Sequence, residues 1–87
     1  LSGGMAARKG VMTVVYKSTA PNNISPISEI RHTYKNIIRM SLFQSIQRDR
    51  HLEVLLVQGT GTQLKELADL VGLQKGIEFV KITTTTI

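Results

Sequence analysis

MSLFQSIQRDRHLEVLLVQ, residues Met40–Gln58, is the stretch around which the rest of the chain is organised. Two arms, Met40–Gln47 and His51–Gln58, flank a charged turn at Arg48–Arg50. In both arms apolar and polar residues alternate with a period of two, which is typical of strands with one face on a core. The stretch therefore predicts a β-hairpin.

The alternation gives this hairpin two different faces. One face carries Met40, Leu42, Ile46, Leu52, Val54 and Leu56. The other carries Ser41, Phe43, Ser45, Gln47, His51, Glu53, Leu55 and Val57. Because Leu55 and Val57 make the second face partly apolar as well, we expect helices on the first face and another protein surface on the second. The predicted interface residues are Phe43, Ser45, Leu55 and Val57.

The length and composition set the class of protein. A chain of 87 residues forms one domain, and oligomerisation would add stability to such a small core. The absence of cysteine from the sequence excludes disulfides and thiolate chemistry. Since the sequence has neither a membrane-length apolar run nor a signal-peptide core, we expect a cytoplasmic protein with no membrane partner.

The formal net charge of +5 raises the question of nucleic acid binding. The basic residues are scattered, however, and no arginine cluster is interleaved with aromatic residues. They are Arg8, Lys9, Lys17, Arg31, Lys35, Arg39, Arg48, Arg50, Lys65, Lys75 and Lys81. The pattern favours a solvated surface, and direct nucleic-acid binding is not expected.

The residues before the hairpin predict a tail, a strand and a helix. Residues 1–10 are interpreted as a flexible tail, in which Leu1–Gly4 would be a remnant of expression ahead of a natural start at Met5. The domain then spans residues 11–87 and begins with a β-branched strand, Val11–Tyr16. After a turn-rich connection, Ser25 as N-cap and the following proline predict a helix that runs to about Arg39.

A second helix and a last strand follow the hairpin. Thr60 and Gln63 have the spacing of a capping box, and Gly72 is a plausible helix end. Apolar residues at helical spacing lie between them: Leu64, Leu67, Ala68 and Val71. Ile77–Ile82 predicts the last strand, and Thr83–Thr86 suits an edge strand or a tail. The order βαββαβ predicts an α+β, ferredoxin-like or ACT-like fold, a four-stranded antiparallel sheet with both helices on one face.

The sequence resembles the C-terminal regulatory domain of the nickel-responsive repressors from Gly10 to about Thr84. The residues that carry the resemblance are Val14–Tyr16, His32, Leu42, His51–Gly59, Leu67–Asp69 and Lys75-Gly76. The resemblance implies an ACT-like domain that tetramerises and binds nickel at a subunit interface, beneath a ribbon-helix-helix DNA-binding segment. Such a segment does not fit in the ten residues before the first strand, so autonomous DNA repression is not expected unless the chain is a fragment or joins a separate DNA-binding protein.

The resemblance also implies four nickel ligands, and only two positions keep a side chain that can ligate a metal. His32 stands where the family has its helical histidine, and His51 where the family has a cysteine. Phe43 and Ser45 stand where it has two histidines. Square-planar nickel needs four strong nitrogen or sulfur donors. The alternatives are therefore apolar packing with no cofactor or a degenerate nickel or zinc site at His32 and His51, with Ser45 and Glu53 as auxiliaries.

Several functions stay open at this point. The leading hypothesis is a regulatory domain that forms a homo-oligomer, a dimer or a tetramer, and binds a small effector. The alternative is a metal-responsive component of a transcriptional regulator. An enzyme is not expected, because the six acidic residues form no evident pair and no nucleophile motif is present.

Overall fold

The computed structural model describes residues 3–18 and 24–86. A 3-10 turn at Gly3–Met5 precedes the main elements, which are β1 (Ala7–Lys17), α1 (Ser28–Thr33), β2 (Ile38–Ser45), β3 (Arg50–Thr60), α2 (Gly61–Gly72) and β4 (Ile77–Thr86). This order confirms the predicted βαββαβ arrangement. None of the helices in these two ranges is long and apolar enough to span a membrane.

The four strands form one antiparallel sheet in the order β2-β3-β1-β4. The predicted hairpin is confirmed as β2 and β3. Its register places Ser45 opposite His51 and Phe43 opposite Glu53, as a turn centred near Arg48 requires. β2 is consequently an edge strand, while β3 and β1 lie in the middle of the sheet.

Both helices lie on one face of the sheet, and the core lies between the two layers. β1 contributes Met12, Val14 and Tyr16, while α2 contributes Leu64, Leu67 and Val71. The remaining buried members of the core are Ile27, Ile30, Ile38, Leu55 and Val57. Since both helices pack on this face, the opposite face of the sheet is left open.

The predicted assignment of the two hairpin faces is wrong. Leu55 and Val57 are buried on the helix side, whereas Leu56 is exposed on the open side. The cause lies in β1, because Met12 pairs with Leu55 and Val14 pairs with Glu53. In adjacent antiparallel strands directly paired residues share a face. The apolar positions of β1 therefore draw this face of β3 inward.

The first helix is much shorter than the predicted Ser25–Arg39. The carbonyl of Tyr34 accepts bonds from the N–H groups of both Ile37 and Ile38, and this turn ends the helix. Ile38 then enters β2 as a buried β-branched residue. Ser25 does not occupy the N-cap, which is Ile27, although its hydroxyl accepts a bond from the Ile27 N–H at 3.2 Å.

The outer strands are longer than predicted. β1 begins at Ala7, so residues 7–10 belong to the sheet and not to a tail. The threonines after Ile82 continue β4 to Thr86, and Arg8 pairs with Thr86. The N-terminal extension of β1 and the C-terminal extension of β4 pair with each other through their backbones. Residues 1–2 and most of the predicted connection after Lys17 lie outside the described residues.

The second helix forms as predicted. Thr60 Oγ1 accepts a bond from the Gln63 N–H at 3.1 Å, and Gln63 Oε1 accepts one from the Thr60 N–H at 2.9 Å. These reciprocal bonds are the predicted capping box. At the other end Gly72 is the last helical residue, and Leu73 takes the C-cap position.

Candidate functional site

A cleft of about 480 Å³ opens on the helix side, between the start of α1 and the hairpin. The first helix and the segment before it supply Ile24, Ser25, Ser28 and Arg31, and the strands and turn supply Tyr16, Phe43, Ser45, Arg48, His51 and Glu53. Polar and aromatic side chains are mixed along this lining.

Glu53 lies at the floor of the cleft and is fully buried. Its two carboxylate oxygens have separate partners, since Oε1 accepts a bond from the Ser25 hydroxyl at 2.5 Å and Oε2 accepts one from Arg31 Nη1 at 3.0 Å. Arg31 also contacts the Ser28 hydroxyl through Nη2 at 3.4 Å. A buried charge needs a partner and hydrogen bonds, and Glu53 has both.

His51 lies next to Glu53 along the wall of the cleft. It is only 4% exposed, and its ring lies between those of Tyr16 and Phe43, each 5.3 Å away between centroids. Neither ring nitrogen has a hydrogen-bond partner in the described part of the chain. The aromatic neighbours thus hold the imidazole in place without satisfying its donor or its acceptor.

Tyr16 closes the other side of His51. Its side chain is buried, and its hydroxyl lies close to the Ser25 hydroxyl and the Glu53 carboxylate, although neither contact has the full geometry of a hydrogen bond. Burial raises the pKa of the Tyr16 phenol above its ordinary value of 10.0; the Ser25 hydroxyl opposes this shift, while the Glu53 charge adds to it. Tyr16 is therefore a neutral phenol near neutral pH, able to donate a hydrogen bond.

The structure brings some of the predicted site residues together and leaves one apart. Phe43, Ser45, His51 and Glu53 all line the cleft. His32 is exposed on α1 and does not line it. The Ser45 hydroxyl donates to the Gln47 carbonyl oxygen at 3.0 Å, at the start of the hairpin turn.

Sequence reasoning missed six of the ten residues that line the cleft, namely Tyr16, Ile24, Ser25, Ser28, Arg31 and Arg48. Tyr16 could have been found, because it continues the inward alternation of Met12 and Val14. Arg31 has no comparable signal. Nothing in its spacing identifies an ion pair with a strand residue that lies 22 positions further along the chain.

The open sheet face is the second candidate surface. We use this name for the side chains of three rows that cross the four strands: Met40, Leu56, Val11 and Thr83; Leu42, Val54, Thr13 and Lys81; Gln44, Leu52, Val15 and Phe79. Five of its large apolar members are exposed, from 39% for Val11 and Leu56 to 61% for Leu42, whereas Val15, Leu52 and Val54 are half-buried. Lys81 is the one charged residue of the face so defined.

Solved structures confirm the fold. An uncharacterized protein from Thermotoga maritima superposes with a TM-score of 0.76 at 15% identity, over 92% of this chain and 99% of that one. The C-terminal domain of the MgtC protein from Mycobacterium tuberculosis gives a TM-score of 0.62 at 16% identity, over 99% of this chain and 95% of that one. With an open βαββαβ sheet and a buried polar cleft, the class is that of an ACT-like α+β domain.

The sequence comparisons give the family. The family described as the NikR C terminal nickel binding domain matches residues 9–85, and the chain belongs to it. A "Putative nickel-responsive regulator" of Methanocella arvoryzae is 33% identical over 91% of this chain, and one of Methanothrix thermoacetophila is 32% identical over 92%. The chain spans about half the length of these relatives, 56% and 57%. The family is one of regulatory domains and not of enzymes, and the resemblance noted from the sequence is confirmed.

Nickel does not fit the donors that this cleft offers. Phe43 has no donor atom, the Ser45 hydroxyl bonds to the chain, and both Glu53 oxygens are already paired. Within the described ranges no three histidine, aspartate or glutamate side chains are grouped so that they could hold a metal ion. His51 is the one strong nitrogen donor on the cleft wall, whereas a nickel centre needs several.

Proposed function

We propose that this domain regulates by assembly and that two copies associate through the open sheet face. The observation that carries the proposal is the apolar surface formed by Val11, Leu42, Leu56 and Phe79 with their neighbours. Contiguous exposed apolar patches often mark interaction sites in soluble proteins. Family membership supports a regulatory role.

The occupant of this face is a second copy of the same chain. Every strand contributes apolar residues to the face. A two-fold axis through it would therefore pack the apolar residues of one copy against those of the other. Sheets pack face to face through such surfaces about 10 Å apart. The chain carries a net charge of +5, and the three central rows of this face contribute only Lys81 to it. Two copies packed on these rows would therefore bury few charges.

A second copy would also complete the hydrophobic burial of a small domain. One 87-residue chain packs helices on only one side of its sheet, and the apolar residues of the other side stay in water. Chains of this size gain stability from oligomerisation, because a small domain buries only a small fraction of its surface in its own core. The assembled domain would pass changes in its geometry to a DNA-binding segment or to a separate DNA-binding protein in the cytoplasm.

The test compares two equivalent substitutions on opposite sides of the domain. Leu42→Glu places a charge on the open sheet face, and Leu73→Glu places one after α2; both leucines are well exposed. Light scattering during size exclusion should give an oligomer for the wild type and for Leu73→Glu, and the 9.6 kDa monomer for Leu42→Glu. An oligomer that persists in Leu42→Glu would refute this interface.

The alternative is a metal-responsive component in which His51 of one chain and His32 of another bind nickel or zinc. Its support is the pair of imidazole nitrogens of His51 that have no partner in the described residues. Calorimetric titration with each metal should then show binding that disappears in both His51→Gln and His32→Gln. Binding that persists in either variant would exclude this pair of ligands.

A further inference from the structure

A hollow of about 540 Å³ opens at one end of the sheet, beside the open sheet face. Val11 and Leu56 give it an apolar lining, and Lys9 and Arg39 give it a charged lining. All four residues are exposed, so a ligand can reach them without any change of structure. The volume falls within the usual range for small-molecule sites.

The hollow combines residues of three strands. Lys9 follows Val11 along the same face of β1, because alternate residues of a strand share a face. Gln58 and Thr85 are the direct partners of Lys9 on the neighbouring strands, and both also line the hollow. Arg39 comes from the irregular start of β2, where the pairing register shifts. Two cations from separate strands thus line the same apolar surface.

The charges around the hollow favour an anion. Neither Lys9 nor Arg39 forms an ion pair in the described part of the chain. The residues that line the hollow include no acidic side chain. Aspartate and glutamate are also absent from the four strand ends that surround it, which are residues 7–11, 38–40, 56–60 and 83–86. The two positive charges therefore stay uncompensated, and a negatively charged ligand is attracted to them.

We infer that the hollow binds a small monocarboxylate with an apolar body. Its carboxylate pairs with Lys9 and Arg39, which donate charge-assisted hydrogen bonds. Its apolar body covers Val11 and Leu56, each of which is 39% exposed in the free chain. A metal ion would meet two positive charges here, and an inorganic anion would leave the apolar lining in water.

The hollow is built by a single chain, but its position links it to the proposed self-association. Val11 and Leu56 belong to the open sheet face, whereas Lys9 lies one row beyond the rows that define this face. A bound carboxylate would add apolar surface at this end of the face and offset positive charge there. We therefore expect the ligand to strengthen the association of two copies, a consequence that rests on the proposed function.

Cyclohexanecarboxylate is the probe for the experiment, and cyclohexanecarboxamide is its uncharged counterpart of the same shape. Binding is followed by calorimetry and by the NMR signals of valine and leucine methyl groups. The carboxylate should bind the wild type and should bind about fivefold more weakly to Lys9→Gln and to Arg39→Gln, since each variant loses one exposed positive charge. Lys75→Gln and Arg48→Gln remove exposed cations outside the hollow and should bind as the wild type does.

Three results would overturn the inference. They are no binding of the carboxylate to the folded wild type, equal binding of the carboxamide, and unchanged binding in both Lys9→Gln and Arg39→Gln. Inorganic phosphate that binds as tightly as the probe would also contradict it, because the site would then recognise charge alone. Both substituted residues are exposed, so neither variant removes a core contact.

Leu42→Glu separates this inference from the proposed function. Leu42 does not line the hollow, so the monomer expected for this variant should still bind the probe, more weakly than the oligomer does. Light scattering of the wild type should show the oligomer at lower protein concentrations when the probe is present. A wild type that is monomeric and binds the probe would refute the proposed function alone, and an oligomer that does not bind it would refute the inference alone.

Discussion

The guanidinium of Arg31 on α1 pairs with the buried carboxylate of Glu53 on β3 at 3.0 Å. The two partners differ in environment, because the Arg31 side chain is 33% exposed and that of Glu53 is not exposed at all. The pair fixes the short first helix on the sheet.

This asymmetry predicts unequal effects of removing either partner. Arg31→Met strands a buried carboxylate and should lower the free energy of unfolding by about 3 kcal/mol. Glu53→Gln leaves a guanidinium that can reach water, so its cost should be about 1 kcal/mol. Urea denaturation at one protein concentration measures both. A larger loss for Glu53→Gln than for Arg31→Met would contradict the assigned burial.

The capping box predicts a local effect at the start of α2. Thr60→Ala removes the hydroxyl that accepts from the Gln63 N–H and should cost about 1 kcal/mol. Thr62→Ala, two residues later on the exposed side of the helix, is the matched control and should cost nothing. Thermal unfolding of the two variants makes the comparison. Equal losses would mean that the capping bond does not stabilise the helix.

Two glycines should respond in opposite directions to alanine. A Cβ at Gly10 would lie 2.5 Å from the carbonyl oxygen of Thr83, so Gly10→Ala must push β1 and β4 apart at a cost of about 1–3 kcal/mol. Gly72 has open space around the same position, and Gly72→Ala should stabilise the helix by about 0.5–1 kcal/mol. Chemical denaturation of both variants is the measurement. A stable Gly10→Ala protein would show that the two strands do not approach so closely.

The raised pKa of Tyr16 predicts a loss of stability at alkaline pH. Its pKa in the folded protein is raised above 10.0, so the unfolded chain releases the phenol proton first. Stability is fully present below pH 10 and falls as the pH rises from there through the folded-state pKa. The Tyr16→Phe variant should lack this part of the decline, whereas Tyr34→Phe should keep it. Unfolding curves between pH 8 and about pH 11 test this, and parallel profiles for Tyr16→Phe and the wild type would refute it.

The elements and their pairing followed from sequence patterns, but the side of the sheet that faces the helices did not. The hairpin register came from the turn at Arg48–Arg50, and the capping box came from the spacing of Thr60 and Gln63. Both faces of β3 are apolar enough to be buried, however. The buried face also carries Glu53, and a charged residue normally indicates a face turned to solvent. The partners of that carboxylate, Arg31 and Ser25, explain its burial, and contacts between such distant residues leave no periodic trace in a sequence.

The predicted length of α1 was wrong for a related reason. Ile37 and Ile38 extend the helical spacing of the residues before them, so the pattern alone favours a long helix. Their β-branched side chains also suit a strand, and Ile38 pairs with Val57 of β3. Tertiary contacts overrode the local signal. The cleft could not be predicted as a unit, because its residues come from four separate segments.

The most direct test of the assembly is to observe contacts between copies. A mixture of isotope-labelled and unlabelled chains, read by filtered NOE spectra, reports only methyl groups that touch another chain. Association through the open sheet face predicts intermolecular NOEs at Leu42, Val54 and Leu56 and none at Leu73. NOEs confined to residues on the helix side, or none at a concentration where light scattering shows an oligomer, would contradict it.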